Sequence, residues 1–176
     1  MKWFWWTIGL LVAVFIVIFV VHSSSSGTHS SPNSTAGVAA IGKPAPDFSV
    51  QTIDGKQFSL AAYKGKPVIL FSMFDCSECA AYAPTLMQLE RDYTAQGLTV
   101  VGLDIVNDEP VSALQSFKQA ASIDFPLVSY NANVASAYKL TRPDMTFVID
   151  KNGVVRNINP SPLSYQQLKG QVEKTL

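Results

Sequence analysis

Two cysteines three residues apart, Cys76 and Cys79, stand among acidic neighbours in the stretch FSMFDCSECAAYAPTL, and the 176-residue chain holds no others. Thiols at that spacing form a redox couple, a metal clip or a structural staple, or fall together by accident. A staple closing so small a loop removes little entropy from the unfolded chain. A tetrahedral zinc site needs two more ligands, and the only histidines, His22 and His29, lie in a serine-rich stretch far upstream. No metal and no cofactor is therefore expected. The histidine-free remainder also excludes imidazole acid–base catalysis and a Cys–His hydrolase. Thirteen basic residues balance thirteen acidic ones, which leaves no electrostatic footprint for nucleic acid.

The elements that must position the pair favour the redox couple. PVILFSMF, Pro67 to Phe74, is a nearly continuous apolar run that suits a strand buried on both faces. Cys76 follows at once, and ECAAYAPTLMQLERDYTAQ predicts a helix ending at Gly97, with Pro84 inside it. LTVVGLDIV predicts a second buried strand, and Pro110, behind Asp108 and Glu109, opens a further helix. FPLVSY reads as a short extended piece and NVASAYKL as a short helix. MTFVID, KNG and VVRNI predict a hairpin, and SYQQLKGQVEKTL a closing helix. Upstream, FSVQT and QFSL flank the hairpin signal Asp54-Gly55. Strands alternating with helices imply an α/β fold with a sheet of mixed direction.

On the first turn of a helix, residues i and i+3 share a face, with Cα atoms near the separation a disulfide requires. Unpaired N–H groups and the helix dipole favour a thiolate at Cys76. Cys76 is thus the attacking thiol, and Cys79, one turn deeper, resolves the mixed disulfide. Phe71 and Phe74 are expected in the core around the pair, and Tyr82 either there or facing the groove. Asp75 and Glu78 oppose ionisation of Cys76, which predicts a less acidic attacking thiol and a more reducing couple.

Ahead of this domain, WFWWTIGLLVAVFIVIFVV runs from Trp3 to Val21 without a charge. As a helix it would measure roughly 28 Å, enough to cross a bilayer. The tryptophans crowd one end, as at an interface, and Lys2 favours a cytoplasmic N-terminus. The apolar run exceeds that of a cleaved signal peptide, and VVHSS offers no small-x-small site. Residues 22–37 are serine-rich and read as a flexible tether. The expected organisation is an anchor over 1–21, the tether, and one extracytoplasmic domain over 38–176.

IGKPAPDFSVQTIDGKQFSLAAYKGKPVILFSMFDCSEC resembles the opening of the TlpA/ResA-like thioredoxin-fold proteins, within the redoxin (AhpC/TSA) group. IDFPLVSYNANVASAYKL followed by TFVIDKNGVV is similar to the later half of that family. The resemblance covers Ile41 to the C-terminus. It implies a thioredoxin-like fold with an added N-terminal β-hairpin, and thiol–disulfide exchange with exported client proteins. A steady reductant in that compartment also implies a transmembrane dithiol donor as partner.

Three departures from the family stand out. Asp75 replaces a tryptophan before the first cysteine, Glu78 replaces a proline before the second, and Tyr82 replaces a glutamate three residues after it. The family also places a cis-proline beside the disulfide, three residues before a strand phenylalanine. Here Pro143 lies four residues before Phe147, and Asp144 holds the expected position. Either Pro143 slips by one residue to align substrate, or the loop lacks a cis-proline.

Two other functions compete. A peroxiredoxin-like peroxidase would carry a hydroxyl three residues before the reactive cysteine and proline seven before, where this chain has Met73 and Ile69. A Cu(I)-handling domain could use the two thiolates, but it would lack a third ligand of the usual kind.

Overall fold

The computed structural model describes residues 37–176. The expected anchor, the tether up to residue 36, and His22 and His29 lie outside the described residues. Among the described residues no helix is long and apolar enough to cross a membrane.

Five strands form the central sheet: β3 (Val68–Met73), β4 (Thr99–Asp104), β5 (Leu127–Val128), β6 (Thr146–Ile149) and β7 (Val155–Asn159). Their spatial order is β5-β4-β3-β6-β7. The apolar run that becomes β3 takes the centre, parallel to β4 and antiparallel to β6. All six of its residues are buried. The hairpin β1 (Ser49–Gln51) and β2 (Gln57–Ser59) forms a separate two-stranded sheet, with Gly55 supplying the positive φ at its turn.

Alternation along β3 sorts the core into two layers. Ile69, Phe71 and Met73 face a cluster built from helices α1 (Ser77–Asp92), α2 (Val111–Ala120) and α4 (Tyr165–Val172). Val68 and Leu70 face the other, built from the hairpin and α3 (Ala132–Tyr138). Gly102 in β4 leaves room for the Leu127 and Met73 side chains, since a Cβ there would collide with Leu127 Cδ2 and sit 3.0 Å from the Met73 sulfur.

The element boundaries differ from expectation in small ways. The first helix stops at Asp92, and a 3-10 turn, Thr94–Gln96, carries the chain to the left-handed Gly97. Pro110 is the N-cap of α2, so Asp108 and Glu109 lie outside its first turn. Asp108 itself adopts a positive φ of 68°, a turn conformation that short polar side chains tolerate.

The lead-in to the hairpin is bonded across to β7. The N–H groups of Gly42 and Ala45 donate to the carbonyls of Val155 and Gly153, both at 2.8 Å, and the Val155 N–H returns a bond to Lys43 at 3.0 Å. Val155 lies opposite Ile149, which lies opposite Val68, the first residue of β3.

Candidate active site

Cys76 caps the N-terminus of α1, immediately beyond the C-terminal end of β3. It is joined to Cys79 in a disulfide with a Cα separation of 5.3 Å. The Cys79 N–H donates to the Cys76 sulfur at 3.1 Å, so one of the helix's orphan donors points at the sulfur that would carry negative charge. Cys76 is half-buried, whereas Cys79 has no exposure. An incoming group therefore meets Cys76 first.

Phe71 and Tyr82 pack edge-on, with ring centroids 5.6 Å apart, in the layer that holds Cys79. Tyr82 is buried, and its hydroxyl accepts the Leu163 N–H at 3.2 Å. Burial is the main force raising the Tyr82 hydroxyl, and Asp144 adds to it. Phe74 is half-buried. Pro84 lies inside α1, where it withholds the helical bond that the Ala80 carbonyl would otherwise accept.

Asp75 and Glu78 are both exposed, beside the half-buried Cys76. Glu78 sits in the first turn of α1. Its own backbone N–H and the Ser77 hydroxyl, 2.9 Å away, hold its carboxyl below the ordinary range. Glu78 thus stays ionised and sets a negative charge beside Cys76.

Of the two readings of the loop opposite the disulfide, the structure has the one without a cis-proline. Every described peptide bond is trans, that of Pro143 included. Pro143 is half-buried, and the residue presented to the sulfurs is Asp144. One of its carboxylate oxygens and both cysteine sulfurs lie within 4.8 Å of one another. The physical reason is local. Asp144 adopts φ +63° and its N–H donates to the Ser72 carbonyl at 2.8 Å. Proline is locked near −65° and has no N–H, so it fits neither demand.

Ser72 fixes that loop. It is fully buried in β3, and its hydroxyl donates to the Arg142 carbonyl at 2.8 Å while accepting the Met145 N–H at 3.0 Å. Its own N–H donates to the Met145 carbonyl at 2.9 Å. The same strand thus carries the disulfide loop from its end and holds the facing loop from its side. Asp144 is 9 % exposed, and its Oδ1 is buried without a hydrogen-bond partner. Burial, reinforced by the negative charge of Glu78, raises its carboxyl above the ordinary range.

A second acidic pair lies behind Asp75. Asp104, at the end of β4, accepts the N–H groups of Val106 at 2.9 Å and Tyr130 at 3.3 Å. Burial raises its carboxyl, and burial, Asp104 and Asp75 together raise that of Glu109. The Oε2 atom of Glu109 is buried with no partner. The sequence reading missed Ser72, Asp104 and Glu109 as contributors. The available signals were a lone serine in one apolar strand and a lone aspartate in another.

Comparison with known proteins places this geometry. The profile of the AhpC/TSA family matches residues 41–158. The thiol-disulfide oxidoreductase ResA of Geobacillus thermodenitrificans is 30% identical over 136 residues, covering 76% of this chain and 77% of its own. The thioredoxin-like protein YneN of Bacillus subtilis is 26% identical over 134 residues, covering 75% and 78%. Among solved structures, a thiol:disulfide interchange protein of the thioredoxin family from Chlorobium tepidum superposes with a TM-score of 0.70 at 27% identity. That match covers 78% of this chain and 99% of the other. The sheet, its flanking helices and the helix-capping disulfide are those of a thioredoxin-like fold.

Proposed function

The chain belongs to the AhpC/TSA family and is a thioredoxin-fold thiol–disulfide oxidoreductase, and from that premise we propose that it reduces disulfides of exported proteins while tethered to the membrane by its N-terminal segment. The observation that carries the reading is the asymmetry of the pair: a half-exposed Cys76 at a helix N-terminus, bonded to a fully buried Cys79. The charge-free run from Trp3 to Val21 supports the tether and the extracytoplasmic placement.

The proposed reaction begins with both cysteines reduced. The Cys76 thiolate attacks one sulfur of a client disulfide, and the other client sulfur leaves as a thiolate that takes up a proton. Cys79 then attacks the Cys76 sulfur, expelling the second client thiol and closing the intramolecular disulfide. For that step Cys79 must lose its proton, and the Asp144 carboxylate beside it is placed to receive it. Two electrons pass to the client, and a dithiol donor in the membrane must return them. Clients of the apocytochrome kind and other extracytoplasmic thiol proteins fit this role.

The test is trapping in cells that produce the full chain. Cys79→Ser should hold clients as mixed disulfides on Cys76, sedimenting with membranes and consisting of exported proteins. Cys76→Ser should trap none. Captured cytoplasmic clients would overturn the placement. A Cys79→Ser variant that captures nothing, or turnover of peroxide by the wild type at the rate of disulfide exchange, would overturn the reading itself.

A further inference from the structure

We propose that the reduced protein forms a zinc-type divalent-metal site from the thiolates of Cys76 and Cys79 and the carboxylate of Asp144, and that disulfide formation dismantles it. The three ligand atoms already lie within 4.8 Å of one another. Zinc bonds of about 2.3 Å to sulfur and about 2.1 Å to oxygen, in tetrahedral geometry, separate ligand atoms by roughly 3.6–3.8 Å. Once reduction lets the sulfurs part, a carboxylate movement of about 1 Å completes the set.

A second observation points the same way. Asp144 is nine-tenths buried, and its Oδ1 has no hydrogen-bond partner. A carboxylate oxygen removed from water and left unpaired is costly, and a bound cation satisfies it. The charged group that bears on Asp144 is another acid, Glu78, and Asp75 adjoins Cys76. Two thiolates added to these acids repel one another, and a divalent ion offsets that charge.

The donor set also selects the metal. Two thiolates suit zinc and copper(I) alike, but a carboxylate oxygen belongs to the harder, borderline ion. Three protein ligands leave the fourth position to water on the half-exposed Cys76 side, as in open zinc sites. Metal and disulfide exclude each other because they use the same sulfur electrons. When a client disulfide oxidises the loaded site, two electrons leave the thiolates, the client takes up two protons to become two thiols, the Cys76–Cys79 bond forms, and the ion departs as a dication. Metal binding therefore holds the couple in reserve.

The test uses the full chain in detergent, reduced with a phosphine and titrated with cobalt(II), followed by displacement with zinc. The oxidised chain is the baseline, which also subtracts any binding at His22 and His29. The reduced form should show thiolate-to-cobalt charge-transfer and tetrahedral ligand-field bands that saturate at a single equivalent; the oxidised form should lack them. Asp144→Asn and Asp144→Gly both tolerate the left-handed backbone, and each should weaken cobalt binding by about tenfold or more. Variants that bind as tightly as the wild type, or a reduced wild type without the thiolate band, would overturn the proposal. Client exchange measured with chelator present reads the disulfide chemistry separately.

Discussion

At the scale of single residues, the site is ringed by acids, with Asp75 and Glu78 beside Cys76 and Asp144 opposite the sulfurs. Asp75 and Glu78 face solvent, so each acts on Cys76 through a screened field. Both charges favour the protonated thiol over the thiolate. The expected reduction potential is therefore near that of thioredoxin, about −270 mV, and far from the −120 mV of a strong oxidant. Asp75→Asn with Glu78→Gln should move it upward. Equilibration with a dithiol buffer measures both, and a double variant with an unchanged or lower potential would refute the electrostatic account.

At the scale of elements, β3 organises the site from two directions. Its end delivers Cys76 to the start of α1, and Ser72 within it holds the Arg142–Met145 loop. Ser72→Ala would leave the buried Met145 N–H without its hydroxyl partner. It should cost about 1–3 kcal/mol in a denaturant titration and loosen Asp144. Wild-type stability in that variant would mean the backbone bonds alone fix the loop.

The sequence made this strand legible because apolar continuity followed by CxxC is a local pattern. The other strands and the α-helices were also placed within a few residues, since caps, turns and periodicity are local as well. What escaped was the partnership across the sheet. Nothing near Cys76 announces a carboxylate that arrives from the loop before β6, and Ser72 reads as an interruption of an apolar run until its partners at 142 and 145 are known. The choice between the two readings of Pro143 stayed open for a similar reason: the demand for a left-handed residue with an N–H at 144 comes from β3, not from the loop's own sequence.

At the scale of the whole molecule, buried acids set the response to pH. Burial raises the carboxyls of Glu90, Asp104, Glu109 and Asp144 above their ordinary values near 3.8–4.5. Their contribution is complete below those values and is lost as pH rises through the shifted ones. Asp150 runs the other way. Burial pushes it up, but the N–H groups of Val154 and Asn152 and the Arg156 guanidinium outweigh this and hold it below its ordinary 3.8. Its contribution is present above that value and lost as pH falls further. Stability should therefore be greatest in mildly acidic solution and decline toward neutrality. The urea midpoint should be higher at pH 5 than at pH 7.5, with a smaller difference in Asp144→Asn. A midpoint that rises over that interval would contradict the assignment.

The lead-in clamped to β7 has a mechanical consequence. A pull on the chain ahead of residue 39 would meet the bond from the Ala39 N–H to the Ala137 carbonyl first, and then those of Gly42, Lys43 and Ala45 to the β7 side, level with the first residue of β3. The disulfide lies past the other end of that six-residue strand, about 20 Å away. A load that reached those last bonds would bear on one end of the sheet, while the sulfurs lie past the opposite end.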